Sequence, residues 1–287
     1  MDSVKREHPS HTALRVALRR AAHQVYDAHP LVFDDPIAVP MLGRYAEELE
    51  RTPGRNASRK PRPFSVGLRA FLVARSRYAE DMLAQAVKRG VTQYVLLGAG
   101  LDTFAHRNPY PSLRVFEVDH PATQLWKREL LLGTRLPTPA NLAYIPLDFE
   151  RQSLAEQLHA AEFESAVPSF FSWLGVVPYL TLDAFRATLR FISAQPPGSG
   201  VIFDYGQPRA VLLAHEQLAH DSLASRMRLA GEALQLFFTP AEIAAELAAF
   251  RDIEDIGSPE INARYFNSRS DSLKVLGSAG RLFSAWL

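Results

Sequence analysis

Tyr94-Val95-Leu96-Leu97-Gly98-Ala99-Gly100-Leu101-Asp102-Thr103 is the stretch on which the fold turns. Four apolar residues that stop at a glycine are too few for a helix and read as a buried strand. Gly98-Ala99-Gly100 then allows a tight turn and a close approach of backbone to a ligand, because neither glycine carries a Cβ. Working outward, Val115–Val118, Ala143–Leu147, Ser169–Leu174 and Val201–Tyr205 are similar short apolar runs, most of them separated by helix-compatible sequence. Such alternation predicts an α/β fold with a largely parallel sheet. Two further strands are expected near Ile253–Ile256 and Leu282–Trp286. Helices are expected over Thr12–Tyr26, Leu180–Ala194 and Pro240–Phe250, the last with Thr239 as N-cap and Pro240 at its first position.

In an open α/β sheet, ligands sit beyond the carboxyl ends of the strands. The next strand ends Phe116-Glu117-Val118-Asp119, about 20 residues past the glycines, where a carboxylate meets a ribose diol in nucleotide-binding sheets. A carboxylate suits that role because it accepts from both hydroxyls. Glu117, on the same side by strand alternation, is the alternate. The third strand ends Pro146-Leu147-Asp148-Phe149; Asp148 can accept from an adenine amino group and the following N–H can reach a ring nitrogen. Gly98, Ala99, Gly100, Asp119, Asp148 and Phe149 therefore form the expected cofactor constellation.

A dinucleotide fingerprint would place a third glycine where Thr103 stands, and Asp102 would repel a pyrophosphate. A cofactor with a cationic sulfonium and no phosphate, S-adenosylmethionine, fits better than NAD. Its carboxylate needs a cation, and Arg75 or Arg77, in the helix before the first strand, can grip it bidentately.

Other chemistries are excluded or disfavoured. The 287 residues contain no cysteine, so disulfides, thiolate metal sites and cysteine nucleophiles are ruled out. Lys plus Arg number 32 against 31 Asp plus Glu, without the one-sided basic excess of a nucleic-acid binder. No apolar run reaches the ~20 residues of a membrane span, and Lys5, Arg6, Glu7 and His8 open the chain without a secretory signal's apolar stretch. A cytoplasmic protein is expected, with no membrane and no nucleic acid as partner. The basic stretch Arg51 to Pro63 reads as a solvated loop. His215-Glu216 and His220 miss the His-Glu-x-x-His zinc motif by one residue, so no metal is expected. Neither a Gly-x-Ser-x-Gly elbow nor a Gly-Lys-Ser/Thr loop occurs.

The chain resembles the leucine carboxyl methyltransferase family, and within it the bacterial branch that includes tetracenomycin-type polyketide O-methyltransferases. The motifs are Thr12-Ala13-Leu14, Phe33-Asp34-Asp35-Pro36, the Arg75/Arg77 pair, Leu97 through Thr103 with Arg107, and Phe116-Glu117-Val118-Asp119-His120-Pro121 with Lys127. Asp148-Phe149, Trp173-Leu174-Gly175 with Tyr179-Leu180, and Arg264-Tyr265-Phe266 complete them. The resemblance implies a class I methyltransferase sheet of seven strands, the last antiparallel, and cofactor contacts at Arg75, Gly98, Asp119, Asp148 and Phe149. It also implies one domain over 1–287, with a helical lid in 1–90 and a cofactor-binding core in 91–287. Where eukaryotic members carry glutamate after the fourth-strand tryptophan, this chain has Leu174, which weakens a protein C-terminus as substrate. The expected reaction is methyl transfer to a carboxylate or hydroxyl oxygen of a small molecule such as a polyketide-type metabolite. A protein carboxyl methyltransferase and a non-catalytic methyltransferase-like binding protein are the alternatives. Trp173, Tyr179 and Tyr205, at or near strand ends, are expected to line the substrate pocket, as is His120; no catalytic base is assigned.

Overall fold

The computed structural model describes residues 9–50, 63–149 and 151–287. Seven strands form one sheet: β1 (Gln93–Leu97), β2 (Arg114–Asp119), β3 (Leu142–Pro146), β4 (Ser169–Trp173), β5 (Gly200–Gly206), β6 (Arg251–Ile256) and β7 (Gly280–Trp286). Their order is β3-β2-β1-β4-β5-β7-β6. The pairs among β1 to β5 are parallel, while β7 runs antiparallel to both β5 and β6. This is the class I methyltransferase arrangement that the sequence led us to expect. Chain order reverses at β1/β4, which makes their carboxyl ends the switch point where ligands bind.

The helices are α1 (His11–Tyr26), α2 (Glu47–Glu50), α3 (Pro63–Lys88), α4 (Phe104–Arg107), α5 (Pro121–Thr134), α6 (Leu154–Ala160), α7 (Leu182–Ser193), α8 (Ala214–Leu229), α9 (Pro240–Glu246) and α10 (Ser258–Tyr265). Several begin at caps visible in the sequence. Ser10 accepts from the Ala13 N–H ahead of α1, and Thr181 from the Ala184 N–H ahead of α7. Thr239 and Glu242 form a reciprocal capping box at α9. Each such cap stabilises its helix by about 1 kcal/mol.

Both faces of the sheet are buried, and strand alternation sorts its side chains between two layers. Tyr94, Leu96, Phe170 and Ile202 join Ala70, Val73, Tyr78 and Leu83 of α3 and Phe104 of α4 on one face. Val95, Leu97, Phe171, Trp173, Phe203 and Tyr205 join Leu158 of α6, Phe185 and Leu189 of α7 and Ile243 of α9 on the other. A third cluster packs Ala17, Ala21 and Ala22 of α1 against Met41, Leu42, Leu101 and Trp126. Within residues 1–90, then, α1 lies against the glycine loop, whereas α3 packs on the sheet. The basic loop from Arg51 lies outside the described residues up to Pro63, which opens α3. No helix among the described residues is long and apolar enough to cross a membrane.

Candidate cofactor and acceptor site

The register of the parallel strands aligns their carboxyl ends: Leu97 stands beside Val118, Asp119 beside Pro146, and Leu96 beside Ser172. A cavity of about 760 Å³ opens over that row, bordered above by α1 and by the segment after α8. The Gly98 and Ala99 N–H groups donate to the Val118 carbonyl at 2.8 and 3.1 Å, which turns the chain sharply off β1. Gly98 and Gly100 take φ of 68° and 50°, the left-handed region where a side chain is strained. A Cβ at Gly98 would also collide with Val176.

Asp119, at the end of β2, points its carboxylate into this turn. It accepts from the Gly100 N–H at 2.5 Å and from the His120 N–H at 2.6 Å. Burial pushes its carboxyl above the usual range, and those two bonds with the nearby Lys127 charge oppose the rise. Asp148 and Phe149 line the cavity beyond β3, where Arg151 lies 3.5 Å from the Asp148 carboxylate.

Arg75 enters from α3, almost fully buried, and its Nη1 donates to Asp204 of β5 at 2.8 Å. Asp204 also accepts from the Gly175 N–H at 2.5 Å. Gly175 has a φ of 70°, and a Cβ there would lie 2.8 Å from Arg75 Nη1, so glycine lets the guanidinium lie against the loop after β4. Arg75 Nε is buried without a hydrogen-bond partner among the described residues, which suits a cation awaiting a carboxylate. Arg77 is half exposed and pairs with Asp81, away from the cavity.

The N-terminal segment is tied to this site by a buried ionic cluster. Asp35 has no solvent exposure and accepts from the Thr103 hydroxyl at 2.7 Å. Its carboxylate lies 3.3 Å from Arg20 and 3.2 Å from Arg107. Arg20 donates to the Leu101 carbonyl at 2.9 Å, and Arg107 to Glu80 at 2.6 Å. Asp102, just ahead of the Thr103 N-cap of α4, accepts from the Phe104 N–H at 2.7 Å. The glycine loop is thereby held on both flanks.

Gly98, Ala99, Gly100, Asp119, Asp148, Phe149 and Arg75 thus all border one cavity, together with Tyr179 and His120. Two expected pocket residues do not. Trp173 is fully buried in the opposite layer, stacked on Phe185 with ring centroids 5.5 Å apart. Tyr205 lies in that same layer and donates its hydroxyl to Asp255 at 2.7 Å. Burial first, then that carboxylate, push the Tyr205 phenol far above its ordinary range. Both side chains enter that layer; of their neighbours, Leu174 lines the cavity, and Asp204 points to the other face, where it pairs with the cavity-lining Arg75. Glu117, the alternate ribose ligand, is equally removed, buried against Lys127 at 2.5 Å. No group of His, Asp and Glu among the described residues could hold a metal ion.

The donors and acceptors present fit S-adenosylmethionine. Carboxylates at Asp102, Asp119, Asp148 and Glu232 line the cavity against Arg20, Arg75 and Arg151, so the cavity carries no cationic excess for a pyrophosphate and tolerates a sulfonium.

The family model for leucine carboxyl methyltransferase matches residues 13–193. YktD of Bacillus subtilis, assigned as an S-adenosyl-L-methionine-dependent methyltransferase, is 31% identical over 297 residues, covering 95% of this chain and 96% of its own. A protein with the same assignment from Saccharopolyspora erythraea is 27% identical, covering 96% and 94%. Among solved structures, a methyltransferase of Thermobifida fusca superposes with a TM-score of 0.59 at 17% identity, covering 97% of this chain and 95% of the other. A DUF574 family protein of Streptomyces avermitilis gives 0.56 at 16% identity, covering 97% of each; at such identities the likeness speaks for the fold. The family model spans well over half of the chain, and the chain belongs to the leucine carboxyl methyltransferase family.

Proposed function

We propose that this S-adenosylmethionine-dependent methyltransferase transfers methyl groups to an oxygen of a small molecule. The observation that carries the reading is the cavity itself. At about 760 Å³ it is of the size that holds small ligands, and α1 and the segment after α8 border it on the side away from the sheet. Donor and acceptor together must fit there, which favours a compact acceptor over a protein tail.

In this reading Asp119 accepts from the ribose hydroxyls, Asp148 and the Phe149 N–H read the adenine edge, and Arg75 holds the donor's carboxylate. Gly98, Ala99 and Gly100 let the backbone approach closely. The bound donor supplies an electrophilic methyl group on a sulfonium. The protein's part is alignment and exclusion of water, and orientation alone can contribute about 7–11 kcal/mol in favourable cases. Tyr179 borders the acceptor side as a phenol that burial keeps protonated, its pKa pushed above the ordinary value.

Incubation with methyl-labelled S-adenosylmethionine and a panel of phenols, alcohols, carboxylic acids, amines and thiols tests the reading. Labelled ethers or esters are expected, with S-adenosylhomocysteine as coproduct. Label on nitrogen or sulfur acceptors alone would refute oxygen as the target.

A further inference from the structure

Once a nucleoside spans the ends of β1, β2 and β3, the cavity that remains lies beyond β4, between α1 and the segment after α8. Thr12, Tyr179, Glu232 and Gln235 border it there. Glu232 is 5% exposed. Its Oε2 accepts the Thr12 N–H at 3.0 Å and the Thr12 hydroxyl as well. Its Oε1 has no hydrogen-bond partner among the described residues. We propose that Glu232 Oε1 accepts the proton of a hydroxyl-bearing acceptor, so that the substrate is a neutral phenol or alcohol with an apolar body rather than a carboxylate.

Three observations lead there. The cavity's cations are committed: Arg20 to Asp35, Arg75 to Asp204 and, in the reading above, to the donor's own carboxylate, and Arg151 near Asp148 at the far end. A carboxylate acceptor would therefore meet Glu232 with no counter-charge, and like charges brought together in a shielded site repel. Other candidate bases are occupied. The His120 ring nitrogen Nδ1 accepts the Ala122 N–H at the start of α5, beside Asp119, and Tyr179 is held protonated. The flanking side chains Val16, Leu180 and the Tyr179 ring suit an apolar acceptor. In the step, the hydroxyl proton passes to Oε1 as its oxygen bonds to the methyl carbon. The electron pair of the breaking carbon–sulfur bond remains on sulfur, leaving a neutral thioether.

This proposal rests on the methyltransferase reading above, and the test separates the two. Calorimetric titration with S-adenosylhomocysteine comes first; failure of the wild-type protein to bind it would sink the donor reading itself. With that ligand saturating, 2-naphthol is then added as probe, since its excited state is a strong acid that emits as naphtholate when a base adjoins it. Wild type is expected to give naphtholate emission. Glu232→Gln, whose amide oxygen can keep both Thr12 bonds, should bind the probe within about threefold but emit from the neutral form. Thr12→Val, which removes a hydroxyl and keeps the carboxylate, should retain naphtholate emission. With methyl-labelled donor, 2-methoxynaphthalene is the expected product, and Glu232→Gln should slow it about 100-fold, the scale of general-base catalysis. Naphtholate emission persisting in Glu232→Gln overturns the proposal. So do absence of 2-naphthol binding and preferential methylation of 2-naphthoate to its ester.

Discussion

Replacing Asp35 by alanine is expected to cost about 3 kcal/mol of folding stability, although the residue lies outside the cavity lining. The side chain is fully buried and accepts from the Thr103 hydroxyl at 2.7 Å and the Ile37 N–H at 3.2 Å. It also lies within 3.3 Å of Arg20 and 3.2 Å of Arg107. Removing one partner of a buried ion pair typically costs about 3–5 kcal/mol, because a desolvated charge is left behind. Each arginine keeps a second acceptor, Leu101 O and Asp102 for Arg20, Glu80 for Arg107. That places the loss at the lower end of the range. At about 2 °C per kcal/mol for a chain of this size, Tm should fall by about 6 °C. The assay is thermal unfolding followed by circular dichroism, with S-adenosylhomocysteine titrated calorimetrically into the folded variant. Affinity should fall as well, because Thr103 and Arg107 flank the glycine loop. Asp35→Asn retains hydrogen-bonding capacity but loses the charge, and should fall between wild type and alanine. A drop in Tm below about 2 °C for Asp35→Ala would refute the claim that this cluster secures the loop.

Asp119→Ala should weaken S-adenosylmethionine binding by about 1–3 kcal/mol, roughly 5- to 150-fold, through loss of charge-assisted hydrogen bonds; calorimetry with unchanged affinity would remove the ribose assignment. Trp173→Phe removes a buried indole N–H that has no partner among the described residues and leaves the cavity untouched. Affinity for S-adenosylhomocysteine should stay within about twofold, and a loss above tenfold would contradict the layer assigned to this residue. The pH prediction concerns Asp27, at the end of α1. Burial raises its pKa, but hydrogen bonds from His23 and from Arg69, at 2.6 Å to Oδ1, hold it below the ordinary carboxylate value. A lowered folded-state pKa contributes stability that is present above the unfolded value near 3.9 and is lost as pH falls through the folded value. Acid unfolding of Arg69→Ala should therefore begin at higher pH than that of wild type, and coincident acid transitions would refute the pairing.

The strands and their order along the chain were legible because short apolar runs that stop at glycine or a charged residue, with helix-compatible sequence between most of them, have few other readings. The cofactor constellation was legible for a related reason: parallel strands place their ends in one row, so Gly98, Asp119 and Asp148 had to converge. Parity was not legible at Trp173 and Tyr205. In a sheet buried on both faces apolar residues fill both layers, so an apolar side chain such as Trp173 or Tyr205 carries no mark of the layer it enters. Glu117 misled similarly, since its partner Lys127 lies on α5 and nothing local marks them as a pair. Asp35 stood in a recognisable motif, but its role depends on Thr103 and Arg107, which only the folded chain brings near. Glu232 follows a helix in polar sequence and carries no motif at all; its place emerges from contact with Thr12, 220 residues earlier.

Strand β6 is joined to the sheet only through β7, which follows it in the chain. During synthesis β1 to β5 can pair as they leave the ribosome, but β6 has no neighbour until residues 280–286 arrive and slot between it and β5. The cluster of Tyr205, Asp255 and Arg281 then bridges β5, β6 and β7 at once, with Arg281 donating to Asp255 at 2.8 Å. Vectorial production thus leaves one edge of the nascent sheet open to the last, and that edge is where a stalled chain would be most exposed to mispairing.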